Sequence, residues 1–223
     1  MASTASTQSS IERRRRMVDG QLRVGGVADL AVLAAFLDTP REAFVAPAQA
    51  GLAYLDCDQP ALGSSGRRLL APLTLARLLQ AAAVAPGERA LDVAGGSGYS
   101  AAILEQLGAR VVALESDAGA AEAARRALAG RAAIEVVEGD LLTGARDRGP
   151  FDVILVNGAY ESRPDALIAQ LAEGGRFVGV EAQPGAEEAV LVEKSAAGIS
   201  QRTLFETRAA AIEAFRRAPS FAF

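Results

Sequence analysis

A chain of 223 residues with 50 % apolar and 22 % charged side chains has material for one large α/β domain and little for a second. Its net charge of −4 gives no global electrostatic case for nucleic acid or an anionic membrane surface. The chain has no histidine, which excludes Ser-His-Asp chemistry, HExxH zinc sites and imidazole bases; its single cysteine, Cys57, excludes an internal disulfide and any CxxC metal site.

Residues 1–10 are small and polar and read as a disordered tail without the apolar stretch of a signal peptide. No later run approaches the roughly 18 apolar residues of a membrane span, so a cytoplasmic location is the default. Ile11 to Leu22 reads as a helix in which Arg13, Arg14, Arg15 and Arg16 form a solvated face, with binding to something acidic as the alternative. Asp29 to Leu37 reads as a second helix, its apolar stripe being Leu30, Leu33, Ala34 and Leu37, and Thr39-Pro40 ends it. Gly51 to Arg68 is loop-rich. Pro72 then opens a helix whose buried face is Leu75, Leu78, Leu79 and Ala82.

From Arg89 the rhythm becomes strand–helix alternation. The runs 90–93, 111–115, 134–138 and 153–157 are short and continuously apolar, as a sheet covered on both faces requires. Alanine-rich helices over 99–107 and 118–129 lie between the first three and close on Gly108 and Gly130. Residues 177–180, 189–192 and 200–205 read as further strands, the last two an antiparallel edge hairpin. The predicted fold is α/β: a Rossmann-like, doubly wound, mostly parallel seven-stranded sheet with that hairpin and an N-terminal helical segment. After the tail, residues 11–223 form one domain, with 11–71 a helical and loop-rich substrate-side segment and 72–223 the Rossmann-like core.

The densest chemical signal is Asp92-Val93-Ala94-Gly95-Gly96-Ser97-Gly98-Tyr99, between the first strand of the core and its helix. Glycines there permit a sharp turn and close approach of backbone to a ligand. Nineteen residues after Gly96, Glu115 ends the second strand, where a carboxylate can accept both hydroxyls of an adenosine ribose. Gly96-x-Gly98-x-x-Ala101 also fits the dinucleotide fingerprint, and a glycine turn with no ligand remains possible on the residues alone. Against NAD stands Asp92, an anion aimed where a pyrophosphate would lie, with no lysine or arginine in the loop to offset it. The sulfonium and amino groups of S-adenosylmethionine (SAM) reverse that logic, because a nearby carboxylate attracts them. The cofactor candidates are therefore Asp92, Ala94, Gly95, Gly96, Ser97, Gly98 and Tyr99, with Glu115 at the sheet's open edge, its neighbour Ser116, Asp140 and Leu141 after the third strand, and Asn157 ending the fourth. Asp140 is placed to accept from an adenine amino group. Asn157-Gly158-Ala159-Tyr160 ends at the same edge, where open α/β sheets bind ligands, and should face the methyl group.

With these residues placed, the chain resembles the protein-L-isoaspartate O-methyltransferases from Met17 onward. Met17-Val18-x-x-Gln21-Leu22, Pro40-Arg41-Glu42-x-Phe44-Val45 and Ala53-Tyr54-x-Asp56 are similar to that family's N-terminal signatures. Asp92 to Tyr99, Glu115, Pro150-Phe151-Asp152 and Gln170-Leu171-x-x-Gly174-Gly175-Arg176 match its core. The resemblance implies methylation of the abnormal α-carboxylate of isoaspartyl residues, the first step of their repair through a succinimide. The implied partner is a protein or peptide carrying that carboxylate, with no nucleic acid or membrane; monomer and homodimer stay open. No catalytic residue is assigned, and no metal. The resemblance places the acceptor against Arg68, Leu69, Leu70 and Ala71 and against Asn157, Gly158 and Ala159. Here the chain departs from the family: Leu70 stands where a Thr or Ser helps hold the acceptor carboxylate. Asn157 replaces a Thr or Ser, Ala94 replaces the first loop glycine, and the ending Phe215–Phe223 is unusual. An altered acceptor follows as an expectation. A catalytically silent SAM-binding protein is one alternative. Methyl transfer to nitrogen is another, from the loose likeness of Asn157-x-x-Tyr160 to an Asn-Pro-Pro-Tyr motif.

Overall fold

The computed structural model describes residues 2–64 and 66–217, so Phe221 and Phe223 lie outside the described residues. The chain begins with α1 (Ala2–Met17), a π-helical turn Val18–Leu22 and α2 (Leu30–Asp38). Short β1 (Gln59–Pro60) and β2 (Arg68–Leu69) pair antiparallel before α3 (Pro72–Ala82). The core then alternates β3 (Arg89–Val93), α4 (Tyr99–Gln106), β4 (Arg110–Glu115), α5 (Ala118–Ala127), β5 (Ile134–Glu138), β6 (Phe151–Tyr160), α6 (Asp165–Ile168), β7 (Leu171–Gln183), β8 (Ala186–Ser195) and β9 (Gly198–Glu206).

Seven of these strands form one sheet in the order β5-β4-β3-β6-β7-β8-β9. The pairs from β5 to β7 are parallel, and β7, β8 and β9 form an antiparallel meander. In central β3 and β4 only the first residue, an arginine in each, is exposed, which is why their sequences are continuously apolar. At the edges the pattern relaxes: Glu135 and Glu138 of β5 face water, as do Gln201 and Arg202 of β9. The two faces are covered unequally. On one, α3, α4 and the N-terminal segment bury Met17, Leu22, Phe36, Phe44, Leu75 and Leu79. On the other, short α6 and the C-terminal return bury Leu167, Ile168, Ile212 and Phe215 against Phe151 and Ile154.

Two sequence expectations need correction. Residues 1–10 were expected to be a disordered tail, yet α1 runs unbroken from Ala2. Extending a helix adds one bond per residue fixed, far cheaper than nucleating one, and the Ser10 hydroxyl donates to Glu42, giving this turn a tertiary anchor. The apolar stripe of α2 is also turned from the expected one: of Leu30, Leu33, Ala34 and Leu37 only Leu33 is fully buried, Leu30 is 72 % exposed, and Val32, Ala35 and Phe36 join Leu33 in the core. Leu30 to Leu37 is apolar all round, so periodicity could not choose a face. The ring of Phe36, edge-on to Tyr99 at 6.0 Å, turns the helix.

Candidate functional site

The loop after β3 holds three left-handed residues: Ala94 (φ 57°), Gly96 (φ 62°) and Gly98 (φ 93°). Neither Gly95 nor Gly96 has room for a side chain. A Cβ on Gly95 would stand 2.4 Å from Asp92 Oδ2, and one on Gly96 would stand 2.6 Å from Ala61 Cβ. The loop thus turns over the end of its own strand and is met from outside by the strap between β1 and β2.

Asp92 lies beneath it, fully buried. Asn157 Nδ2 donates to its Oδ1 at 2.7 Å and the Ser100 hydroxyl to its Oδ2 at 2.8 Å. Both partners are neutral. Burial raises the Asp92 pKa from 3.8 to about 6, against the two hydrogen bonds, which lower it, while nearby Glu115 raises it further. An anion so held is short of positive charge.

Glu115 is met differently. Its Oε1 accepts from Arg67 Nε at 2.7 Å, Ser116 N at 2.8 Å and Asp117 N at 3.2 Å, and its Oε2 from Gly96 N at 3.1 Å. Arg67 Nη2 also donates to the Ser116 hydroxyl at 2.8 Å. The expectation of an open-edge carboxylate fails, since Glu115 is only 3 % exposed. The strap carrying Arg67 closes over the edge, because Ser64 Oγ accepts from Arg67 N at 3.0 Å and donates to Asp117 Oδ2 at 2.7 Å.

The remaining cofactor candidates divide. Asp140 stays at this edge and exposed, Oδ1 accepting from Leu142 N at 3.0 Å, while Gly139 N donates to Glu115 O at 2.9 Å. Leu141 is fully buried in the core. Tyr99 and Ser97 turn toward the N-terminal segment. The Tyr99 ring packs edge-on to Phe44 at 5.5 Å with the Arg41 guanidinium 4.7 Å from its centroid, and the buried Ser97 hydroxyl donates to Phe44 O. Asn157 binds Asp92 and Val93 O, bracing the loop from below.

On the acceptor side, Leu69 and Leu70 point their side chains inward and Arg68 is exposed. Fully buried Arg41 holds this segment by its backbone, Nη2 donating to Leu70 O at 2.8 Å. Asp58 fastens it to the C-terminal return, accepting from Ala71 N and from Ala210 N, both at 2.8 Å. A cleft of about 360 Å³ opens beside Ala71, lined by Asp56, Asp58, Thr74, Thr207 and Arg208. Gly158 and Ala159 do not line an open crevice. Ala159 N donates to Ala210 O and Ala159 O accepts from Ile212 N, both at 2.9 Å, so the return covers them.

Sequence reasoning missed Arg67, Ser100, Asp58 and the role of Arg41. Ser100 had a signal, eight residues after Asp92 and in the first turn of α4, where a hydroxyl can reach back to the strand end. Arg67 had none, since a loop arginine pairs through tertiary structure alone.

A family model described as protein-L-isoaspartate(D-aspartate) O-methyltransferase matches residues 12–212. A protein-L-isoaspartate O-methyltransferase of Methylorubrum populi is 42 % identical over 175 residues, covering 78 % of this chain and 82 % of that one. One from Koribacter versatilis is 40 % identical over 197 residues, covering 87 % and 88 %. Among solved structures, a protein-L-isoaspartate O-methyltransferase superposes with a TM-score of 0.78 at 26 % identity, over 91 % of this chain and 67 % of that chain. A Plasmodium falciparum protein crystallised with S-adenosyl-L-homocysteine shares the fold, with a TM-score of 0.76 at 19 % identity over 90 % of this chain and 98 % of its own.

Proposed function

The chain belongs to the protein-L-isoaspartate(D-aspartate) O-methyltransferase family, SAM-dependent carboxyl O-methyltransferases, and from that premise we propose how its own residues divide the work. The site fits SAM: a glycine loop in which a Cβ would clash at two positions, a buried carboxylate that among the described residues has no cation partner, and a second carboxylate at the end of the neighbouring strand. The Asp92 carboxylate, held by neutral donors alone, carries the reading, because it lacks the positive charge that a sulfonium and an amino group bring. Glu115 takes the ribose hydroxyls, and Asp140 lies beside it for the adenine amino group. When bound, SAM supplies an electrophilic methyl on a cationic sulfur.

The acceptor is a carboxylate with an ordinary pKa of about 4, already ionised at neutral pH, so no base is needed in a chain without histidine. The protein's part is alignment and exclusion of water. Arg41 and Asp58 fix the backbone of 68–71 from two sides, and the cleft beside Ala71 admits the acceptor. Within that segment Leu70 is apolar and buried, so Arg68 is its one donor side chain for an incoming anion. No helix among the described residues is long and apolar enough to cross a membrane, and the working place we assign is the cytoplasm, on protein substrates.

The test is incubation with methyl-labelled SAM and an isoaspartyl peptide beside its aspartyl counterpart. Label on the isoaspartyl peptide alone is expected. Label on neither, with SAM still bound, would move the acceptor elsewhere.

A further inference from the structure

Glu115 has more donors than one of its oxygens can share with a ligand. Oε1 accepts from Arg67 Nε and from two backbone N–H groups, whereas Oε2 accepts from Gly96 N alone. A ribose presents two adjacent hydroxyls, and a carboxylate that takes both needs room on both oxygens. The backbone donors cannot leave, because Ser116 and Asp117 continue the chain directly after Glu115. Arg67 can, being a side chain on the strap. Its guanidinium also occupies the Ser116 hydroxyl at 2.8 Å, and its Cβ lies 3.4 Å from where a Cβ on Gly96 would stand. The pair is shielded, with side-chain exposures of 13 % for Arg67 and 3 % for Glu115.

We propose that Arg67 is a built-in competitor for the nucleoside diol of SAM, occupying the acceptor oxygen of Glu115 until the cofactor displaces it, so that this one side chain lowers cofactor affinity. The proposal rests on Glu115 as the ribose acceptor. Arg67 neutralises the buried carboxylate in the absence of nucleoside, when an isolated charge would be costly. Binding exchanges that ion pair for two hydroxyl donors, and the released guanidinium regains water through the strap. The competition belongs to the step before binding, so it lowers the association rate and leaves dissociation nearly alone.

The test compares wild type, Arg67→Ala, Arg67→Gln and Glu115→Gln in the full chain, with SAM and S-adenosylhomocysteine titrated by calorimetry and association followed by stopped flow. Both Arg67 variants are expected to bind about three- to tenfold more tightly, the worth of one partly shielded ion pair, through faster association. Glu115→Gln is expected to bind more weakly. Arg67 variants that bind as wild type or more weakly, beside a weakened Glu115→Gln, would overturn the competition and leave Glu115 as the ribose acceptor. An unchanged Glu115→Gln would remove the acceptor, and the competition with it. Arg67→Gln keeps a polar group at the position of Nε and removes the charge, so ligand-free melting of both variants separates a folding loss from a binding change.

Discussion

The floor and the rim of the glycine loop each carry a carboxylate, and the two are kept in opposite ways. At the floor, Asp92 is fully buried with Asn157 and Ser100, neutral donors that leave its charge unmatched. At the rim, Glu115 is almost as buried but meets an arginine and three backbone N–H groups. Burial alone therefore does not say what a carboxylate awaits. A charge surrounded by dipoles is satisfied by a cation, and a charge already paired with a cation is satisfied by neutral hydroxyls once that cation leaves.

The sharpest way to break the comparison is Asp92→Asn, which keeps an acceptor for Asn157 and loses the charge. SAM affinity should fall by about 3 kcal/mol, roughly a hundredfold, the upper range for a hydrogen bond to a charged group. Stability should move the other way. A carboxyl whose pKa is higher folded than unfolded stabilises the fold fully below the unfolded value, and that contribution is lost as pH rises through the folded value. With Asp92 raised from 3.8 to about 6, the loss runs across that window, and at pH 8 the wild type carries up to about 3 kcal/mol of buried-charge cost that Asn removes. Denaturant melts at pH 8 should show the variant at least as stable as wild type. In the wild type, SAM binding should weaken by about tenfold between pH 7 and pH 5 as Asp92 takes up a proton, and lose that dependence in Asp92→Asn. Equal affinity for SAM across that range would place the cation away from Asp92.

At the rim the expected losses are smaller in affinity and opposite in stability. Glu115→Ala should weaken SAM binding by roughly 1.5 kcal/mol, about tenfold, since part of this acceptor was spoken for by Arg67. It should also lower stability by about 1–3 kcal/mol, because Arg67 and the Gly96 N–H lose their partner. Calorimetry and thermal melts on the same preparation check both. An unshifted melt would mean that the strap holds without this carboxylate.

The acceptor side offers the next contrast. Leu70 is 2 % exposed and its carbonyl is held by Arg41, so Leu70→Thr should place a hydroxyl in the segment without moving the backbone. Isoaspartyl methylation is expected to rise on the order of tenfold, one hydrogen bond to an anion. Initial rates with an isoaspartyl peptide measure this, and no rise from a folded variant would show that the hydroxyl is dispensable here.

These contrasts also show what could be read from the residues. The parallel half was legible because its order is local: β3, β4 and β5 are short apolar runs, each followed by a turn glycine or a capping residue such as Asp117, whose carboxylate accepts from Ala120 N. The loop and both carboxylates followed from fixed spacing along that unit. The N-terminal layer was not legible in the same way, because long-range polar contacts hold it together. Glu42 accepts from Ser10 and Tyr54, Arg41 from 29 residues away holds Leu70 O, and Arg67 reaches Glu115 across 48 positions. Periodicity carries no record of such pairs. It also misled where the pattern was saturated, as in α2, and where chemistry was judged by composition alone, as in the first ten residues.

The smallest expected effect separates backbone strain from packing within the loop itself. Ala94 and Gly96 hold nearly the same dihedral, φ 57° and 62°, yet the space beside them differs. A Cβ on Gly96 would press on Ala61 Cβ at 2.6 Å, so Gly96→Ala must push the strap away and should cost about 2 kcal/mol or more. Ala94 already carries its Cβ, buried in the core, and its N–H donates to Leu114 O at 2.9 Å, which pins the left-handed turn to the neighbouring strand. Ala94→Gly relieves roughly 1 kcal/mol of left-handed strain while giving the unfolded chain a similar amount of freedom, so the net change should stay within about 0.5 kcal/mol. Denaturant unfolding resolves a difference of that size. A gain well above it would mean that the loop is strained at its first residue and that the fold tolerates the strain for the sake of the site. A loss would mean that the Ala94 methyl matters more to the core than its backbone angle does, and the loop would then owe its shape to packing from below as much as to its glycines.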